Sequence, residues 1–203
     1  MEDVGFAKEK PEDISVSKIV LKTALVFTVI FLLIVLLAFN IAALFFPGFV
    51  SNLSSDLGMP KISADFAVGN YEKTKDINDL GLAVERCITA DKYDKIIKYA
   101  NILINIKNSK GESKFIEFCN FKDEQLNEYY IENNINNKSN YFLYIYASFI
   151  YSLNKTGQTA KAGEQKLNAE NTCLELINNY NNLNDAANVL KWQSNYNAIL
   201  SLP

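Results

Sequence analysis

Histidine is absent from this chain of 203 residues. With it go the commonest general base near neutral pH and the commonest metal ligand. Cysteine occurs only at Cys87, Cys119 and Cys173, with no Cys-x-x-Cys spacing. An odd number of widely spaced thiols argues against a disulfide framework and gives no support to zinc binding or thioredoxin-like chemistry. Cys87 and Cys119 fall within apolar helical patterns, where a thiol serves as a small core residue. Arg86 is the single arginine, and the net charge of −3 is too small to select a partner. No basic stripe with interleaved aromatics occurs, so nucleic acid is not expected as a partner. No Gly-rich phosphate loop, His-Glu-x-x-His, Gly-x-Ser-x-Gly or EF-hand spacing is found. The carboxylates Glu85, Asp91, Asp94 and Glu117 fall on polar helix faces or in turns, where charge is solvated. The expectation is a protein without catalytic residues, cofactor or metal, and not an enzyme.

Proline is also scarce, and none occurs from Lys61 to Leu202. A proline-free stretch of that length suits a helical domain, since proline breaks helix interiors. Asparagine, by contrast, crowds into 133–140 and 178–184. These tracts are short and broken by apolar residues, and they read as helix ends and loops. Lys, Asn, Ile and Tyr share A/T-rich codons, which accounts for the bias. In so asparagine-rich a chain, the glycosylation sequons at Asn52, Asn137 and Asn154 are expected by chance.

The strongest positive signal is an uncharged run from Thr23 to Phe46, TALVFTVIFLLIVLLAFNIAALFF. Spanning a bilayer takes about 20 apolar residues at a rise of 1.5 Å each. Within hydrocarbon every backbone polar group must be satisfied inside the segment, which requires a helix. A cleaved signal peptide has an apolar region of about 7–15 residues and a small-residue cleavage site. This run is longer and continues apolar through Leu44-Phe45-Phe46. It reads as an uncleaved anchor in the cell membrane. Lys8, Lys10, Lys18 and Lys22 precede it, and only Lys61 follows it before residue 70. The lysine bias predicts a cytoplasmic N-terminus and an extracytoplasmic C-terminal domain. Asn40 lies inside the run, between Ala38 and Ala42. It reads either as a polar contact for self-association or as a side chain tolerated near the outer interface.

Residues 47–72 hold Pro47, Gly48, Gly58, Pro60 and Gly69 with serines between, and read as a juxtamembrane linker. A helical domain is expected over 73–203, after a tail at 1–18 and a transmembrane helix at 19–46. Leu80, Ala83, Val84, Cys87 and Ile88 recur at i, i+3, i+4, i+7 and i+8, and Tyr93, Ile96, Ile97, Ala100, Leu103 and Ile104 repeat the pattern. The polar break Thr89-Ala90-Asp91-Lys92 between them predicts an antiparallel helical hairpin.

The stretch from Ala90 to Tyr99, ADKYDKIIKY, resembles the turn and second-helix start of a tetratricopeptide repeat. Matched at the turn, Ala83 and Val84 fall where that family carries its Leu-Gly pair. Ile96 stands where the family prefers alanine, and the terminating proline is missing. The resemblance covers about 30 residues and implies stacked hairpin geometry.

Beyond it, Phe115, Ile116, Cys119, Leu126, Tyr129 and Tyr130 suit a helix starting near Glu112. The segment Tyr141 to Leu153, YFLYIYASFIYSL, is apolar on all sides and too short to span a bilayer. It reads as a central helix buried by its neighbours, with an aromatic groove or a membrane-resting face as the alternative. Two further helices are expected over 158–179 and 183–200. The predicted fold is all-α: an N-terminal transmembrane helix followed by stacked antiparallel helical hairpins. Such stacks offer concave surfaces to peptides and proteins. The function expected is a membrane-anchored interaction module or accessory subunit, with a protein partner. The alternative is a binding domain for an apolar ligand or lipid, lined by the aromatics of 141–151. Tyr93, Tyr99 and Trp192 are candidate surface contacts, although Tyr93 fits the core pattern equally well.

Overall fold

The structure, a computed structural model, describes residues 16–109, 111, 113–133 and 139–203. The N-terminal tail with Lys8 and Lys10, the helix start at Glu112, and the sequon asparagine Asn137 lie outside the described residues. Among the described residues there are nine helices and no strand beyond one isolated bridge between Lys107 and Ser113. The chain divides into two compact units, Met1–Phe45 and Phe46–Pro203.

The first unit carries α1, Val16–Phe45, a helix of 30 residues. At 1.5 Å per residue it is about 45 Å long, against a hydrocarbon core of about 30 Å. Its large apolar side chains from Ile19 to Phe45 are exposed. It is long and apolar enough to cross a membrane, a property that anchors and signal sequences share. Its polar side chains bond back to their own helix. Thr28 Oγ1 donates to the Ala24 carbonyl at 2.9 Å, and Asn40 Nδ2 donates to the Leu36 carbonyl at 2.7 Å.

The second unit contains α2 (Pro47–Asp56), α3 (Pro60–Thr74), α4 (Ile77–Thr89), α5 (Tyr93–Ile104), α6 (Lys114–Glu132), α7 (Tyr141–Lys155), α8 (Thr159–Asn182) and α9 (Ala186–Leu200). The stretch 47–72 is therefore helical and not an irregular linker. Its prolines and Gly58 mark helix ends. Pro47 and Pro60 open α2 and α3, where the missing N–H costs nothing and the fixed φ suits a helix. Gly58 takes a φ of +69° at the turn between them. Ser51 and Ser63 join the two helices, each hydroxyl donating to the other residue's carbonyl, at 2.9 and 2.8 Å.

Consecutive helices pack against one another from α2 to α5 and again from α7 to α9, while α5 passes directly to α7 and α6 lies to one side against α7. The same turn closes four of the helix pairs. Gly58, Asp91, Gly157 and Asn184 all sit at positive φ. In each case the following N–H reaches the carbonyl five residues back: Met59 to Ser54 (2.8 Å), Lys92 to Cys87 (3.0 Å), Gln158 to Leu153 (2.8 Å) and Asp185 to Tyr180 (3.0 Å). This bond satisfies a carbonyl that the helix end leaves without an intrahelical partner. Side chains of Asp76, Asn140 and Asp185 cap the opposite ends of α4, α7 and α9.

The aromatic helix α7 is central. Tyr141, Phe142, Ile145, Tyr146, Phe149, Ile150 and Leu153 are buried. Phe142 meets Trp192 edge-on at 5.0 Å between centroids, and Phe115 meets Tyr146 at 5.9 Å. Leu80, Ala83, Val84 and Cys87 of α4 and Ile96, Tyr99, Ala100 and Leu103 of α5 complete the core beside them.

On the outside, Asp65 of α3 accepts from Lys92, just before α5, and from Lys95 of α5, both at 2.6 Å. Burial opposes its ionisation, but the two lysines more than offset this and hold its carboxyl below the usual range. The group is half exposed, so such a pair is worth only about 0–1 kcal/mol.

Gly81 of α4 faces the Phe118 ring of α6. A methyl group there would come within 2.4 Å of the Phe118 ring. That ring is buried and stacks edge-on against Tyr141 at 5.5 Å, so it has little freedom to retreat. Overpacking of this kind costs about 1–3 kcal/mol, against the ~1 kcal/mol of helix propensity that alanine gains over glycine. Gly81→Ala is expected to lower the urea midpoint of the full-length protein in micelles. An unchanged or raised midpoint would show that Phe118 moves freely.

Candidate functional site

A concavity of about 450 Å³ lies between α4, α6 and the start of α7. Its walls follow from helical spacing. Glu85, Arg86 and Thr89 come from one side of α4, bordering the buried stripe through Leu80, Val84 and Cys87. Lys122, Leu126 and Tyr130 recur at i, i+4 and i+8 along α6, and Tyr141 and Tyr144 are one turn apart on α7. Residues this far apart share a helix face.

At the floor, Glu85 Oε1 accepts from Tyr141 Oη at 2.8 Å and pairs with Lys122 Nζ at 3.0 Å. The Lys122 ammonium also lies over the Tyr141 ring, 5.5 Å from its centroid. Burial first, and then the charge of Glu85, push the Tyr141 hydroxyl far above its usual range, so it stays protonated and acts as a donor. The Tyr144 hydroxyl is raised for the same reasons. Arg86 reaches across to α2, with Nη1 donating to Ser55 Oγ and Nη2 to Asn52 Oδ1 at 3.4 Å. Its Nε is buried without a hydrogen-bond partner. Glu85, Lys122 and Tyr141 thus engage one another, and Tyr130, Tyr144 and Thr89 form the rim.

A second polar junction adjoins it. Asp123 is buried on α6 and accepts from the Tyr141 N–H at 2.7 Å, Ser139 Oγ at 3.0 Å and Lys191 Nζ at 3.0 Å. Since Tyr141 is the first residue of α7, this carboxylate satisfies an otherwise unpaired N–H and faces the positive end of the helix dipole. Asn140 Nδ2 donates to the buried Asn195 Oδ1 at 2.5 Å and so ties the same point to α9.

Of the carboxylates considered from sequence, Asp91, Asp94 and Glu117 are exposed, while Glu85 is half-buried and doubly bonded. Sequence reasoning missed Asp123, although its spacing was available. It falls eight residues after Phe115 and four after Cys119, on their buried stripe. Tyr99 and Trp192, considered as surface contacts, are buried instead. Tyr99 turns its ring into the core and its hydroxyl out to Glu72, at 2.5 Å. Trp192 lies wholly inside, beside Phe142. Tyr93 is half-buried against Tyr151, 6.0 Å between centroids. The described residues contain no group of three or more His, Cys, Asp or Glu placed to hold a metal.

All three thiols are free and buried. Burial pushes Cys87 up to about 11 and Cys173 to about 12, and raises Cys119 strongly as well. A thiolate is the reactive form. In the folded protein at pH 8, Ellman's reagent is therefore expected to leave all three thiols unmodified for as long as the domain stays folded. Reaction of even one thiol on mixing would contradict the packing described. No protein-family model matches this chain, and neither the curated proteins nor the solved structures yield a match.

Proposed function

We propose that the chain is a membrane-anchored, TPR-like helical-repeat module that binds a protein partner at the cell envelope as a scaffold or accessory subunit. The carrying observation is the serial packing of helix pairs α2/α3, α4/α5 and α7/α8, each closed by the same positive-φ turn. Elements that each pack on the next build extended surfaces suited to peptides and proteins. The cleft between α4 and α6, with hydroxyls on its rim and an engaged ion pair at its floor, is the proposed seat for a partner segment. Helix α1 supports the anchor, and the lysines that precede its uncharged run support a cytoplasmic N-terminus with the helical unit outside.

The aromatics of α7 bear on the rival reading of an apolar-ligand pocket. Phe142, Tyr146 and Phe149 are buried against neighbouring helices, and Tyr144 and Tyr151 are the aromatics α7 leaves exposed. This favours a protein partner over an apolar ligand enclosed along α7.

The test is crosslinked co-purification of the full-length protein from native membranes. One enriched partner, lost with the cleft substitution Tyr144→Ala, supports the proposal. Recovery of the protein alone, with dimers that vanish in Asn40→Leu, replaces it with self-association through α1. Protease treatment of intact cells tests the orientation and is expected to remove the helical unit. Protection until the cells are permeabilised would reverse it.

A further inference from the structure

Helix α2 is inside out for a helix facing water. Its small polar side chains Ser51 and Ser54 are buried, and Ser51 is spent on the bonds to Ser63. Val50 is buried beside them, but the helix's larger apolar side chains point outward. Phe46, just before it, and Phe49, Leu53 and Leu57 stand at i, i+3, i+7 and i+11, a single stripe, and are 64%, 62%, 38% and 62% exposed. Met59 and Ile62 extend the exposed apolar surface into the start of α3.

We propose that this stripe lies in the headgroup layer of the membrane, so that α2 is an in-plane interfacial helix directly following the span. The inference rests on the reading of α1 as an anchor. Three observations favour lipid over another occupant. Phe46 follows Phe45, the last residue of α1, without any intervening segment. Consecutive Cα atoms are about 3.8 Å apart, so α2 begins within a chain link of the span's end. The headgroup layer on each face is about 5–7 Å thick, and an interfacial helix sinks its apolar face about 5–10 Å into that boundary. Finally, no charged residue occurs between Lys22 and Asp56, the last residue of α2, so the stripe from Phe46 to Leu53 meets lipid without burying a charge. Interfacial helices usually show lysines on their polar face. Here that face packs on α3, and serines take the place of lysines.

The full-length protein, reconstituted in phosphatidylcholine–phosphatidylglycerol vesicles, tests this by nitroxide labelling of single introduced cysteines. The native thiols are buried, so the label enters the introduced site. Phe49→Cys and Leu53→Cys probe the stripe, Leu33→Cys the span, and Leu167→Cys an exposed site on α8. Accessibility to oxygen, which partitions into lipid, is compared with accessibility to a water-soluble nickel chelate. The expected result is an oxygen-to-nickel ratio at Phe49→Cys and Leu53→Cys several-fold above Leu167→Cys and below Leu33→Cys. Ratios equal to Leu167→Cys would overturn the proposal while leaving the anchor in place. Exclusion of both reagents would overturn it in favour of a protein covering the stripe. A water-like ratio at Leu33→Cys as well would show that the anchor reading itself had failed.

Discussion

Asp123→Ala is expected to destabilise the helical unit by about 2–5 kcal/mol, since a stranded buried hydrogen-bonding group costs about 1–3 kcal/mol and loss of a partly buried charge at a helix terminus up to ~2 kcal/mol more. Three donors converge on this carboxylate: the backbone N–H that opens α7, the hydroxyl of Ser139, and the ammonium of Lys191 on α9. Alanine removes this acceptor from all three. Lys191 is a third exposed and keeps Asn120 at 3.1 Å. The buried N–H is left without an acceptor, which is the most costly loss because water does not replace it. The substitution also removes the negative charge from the N-terminus of α7. For a unit of this size, each kcal/mol shifts the melting temperature by about 2–4 °C, so a fall of roughly 4–20 °C is expected. Far-UV circular dichroism of the full-length protein in micelles measures it. Asp123→Asn keeps an acceptor but loses the charge, and is expected to fall between wild type and alanine. A melting temperature for Asp123→Ala within 2 °C of wild type (about 1 kcal/mol) would mean that the junction does not hold α6, α7 and α9 together.

Trp192→Ala is expected to cost a comparable ~3–5 kcal/mol, as large-to-small changes of buried aromatics do. The indole is enclosed, with the Phe142 ring edge-on against it, and its Nε1 is buried without a hydrogen-bond partner. Its contribution is therefore packing, and no bond is lost with it. Trp192→Phe keeps most of the volume and removes the unpartnered N–H, so it is expected to lose less than half as much. Urea unfolding followed by circular dichroism, which does not depend on the tryptophan, distinguishes the two substitutions. Near-wild-type stability of Trp192→Ala would return the residue to the surface role considered from sequence.

These two residues show what could be read from the sequence. The helices from α4 to α9 were legible because their apolar residues recur at helical spacing and their breaks carry Asp, Gly or Asn. Helices α2 and α3 were not, for a physical reason. A helix that buries serine and exposes phenylalanine inverts the pattern by which helices are recognised, and the same prolines that open a helix also punctuate loops. Trp192 sits at a register position consistent with either face, and α9 is too weakly amphipathic to decide between them. Asp123 was hidden by the assumption that carboxylates are solvated, although it shares a stripe with Phe115 and Cys119. The tetratricopeptide resemblance placed Ala83 and Val84 at the family's Leu-Gly pair. A tight contact between helices lies at Gly81 instead, against Phe118.

The repeated turns also carry a kinetic consequence. Each brings together helices that are neighbours along the chain, across a break of only a few residues, so closing each pair costs little chain entropy. Proteins dominated by such local contacts fold in microseconds to milliseconds. Among the exceptions are the bonds of Tyr141 with Glu85, Asn140 with Asn195 and Lys191 with Asp123, which join residues 56, 55 and 68 apart in sequence. The hairpins are thus expected to form early and independently. The docking of α9 at the junction of α6 and α7 then becomes the slow, committing step.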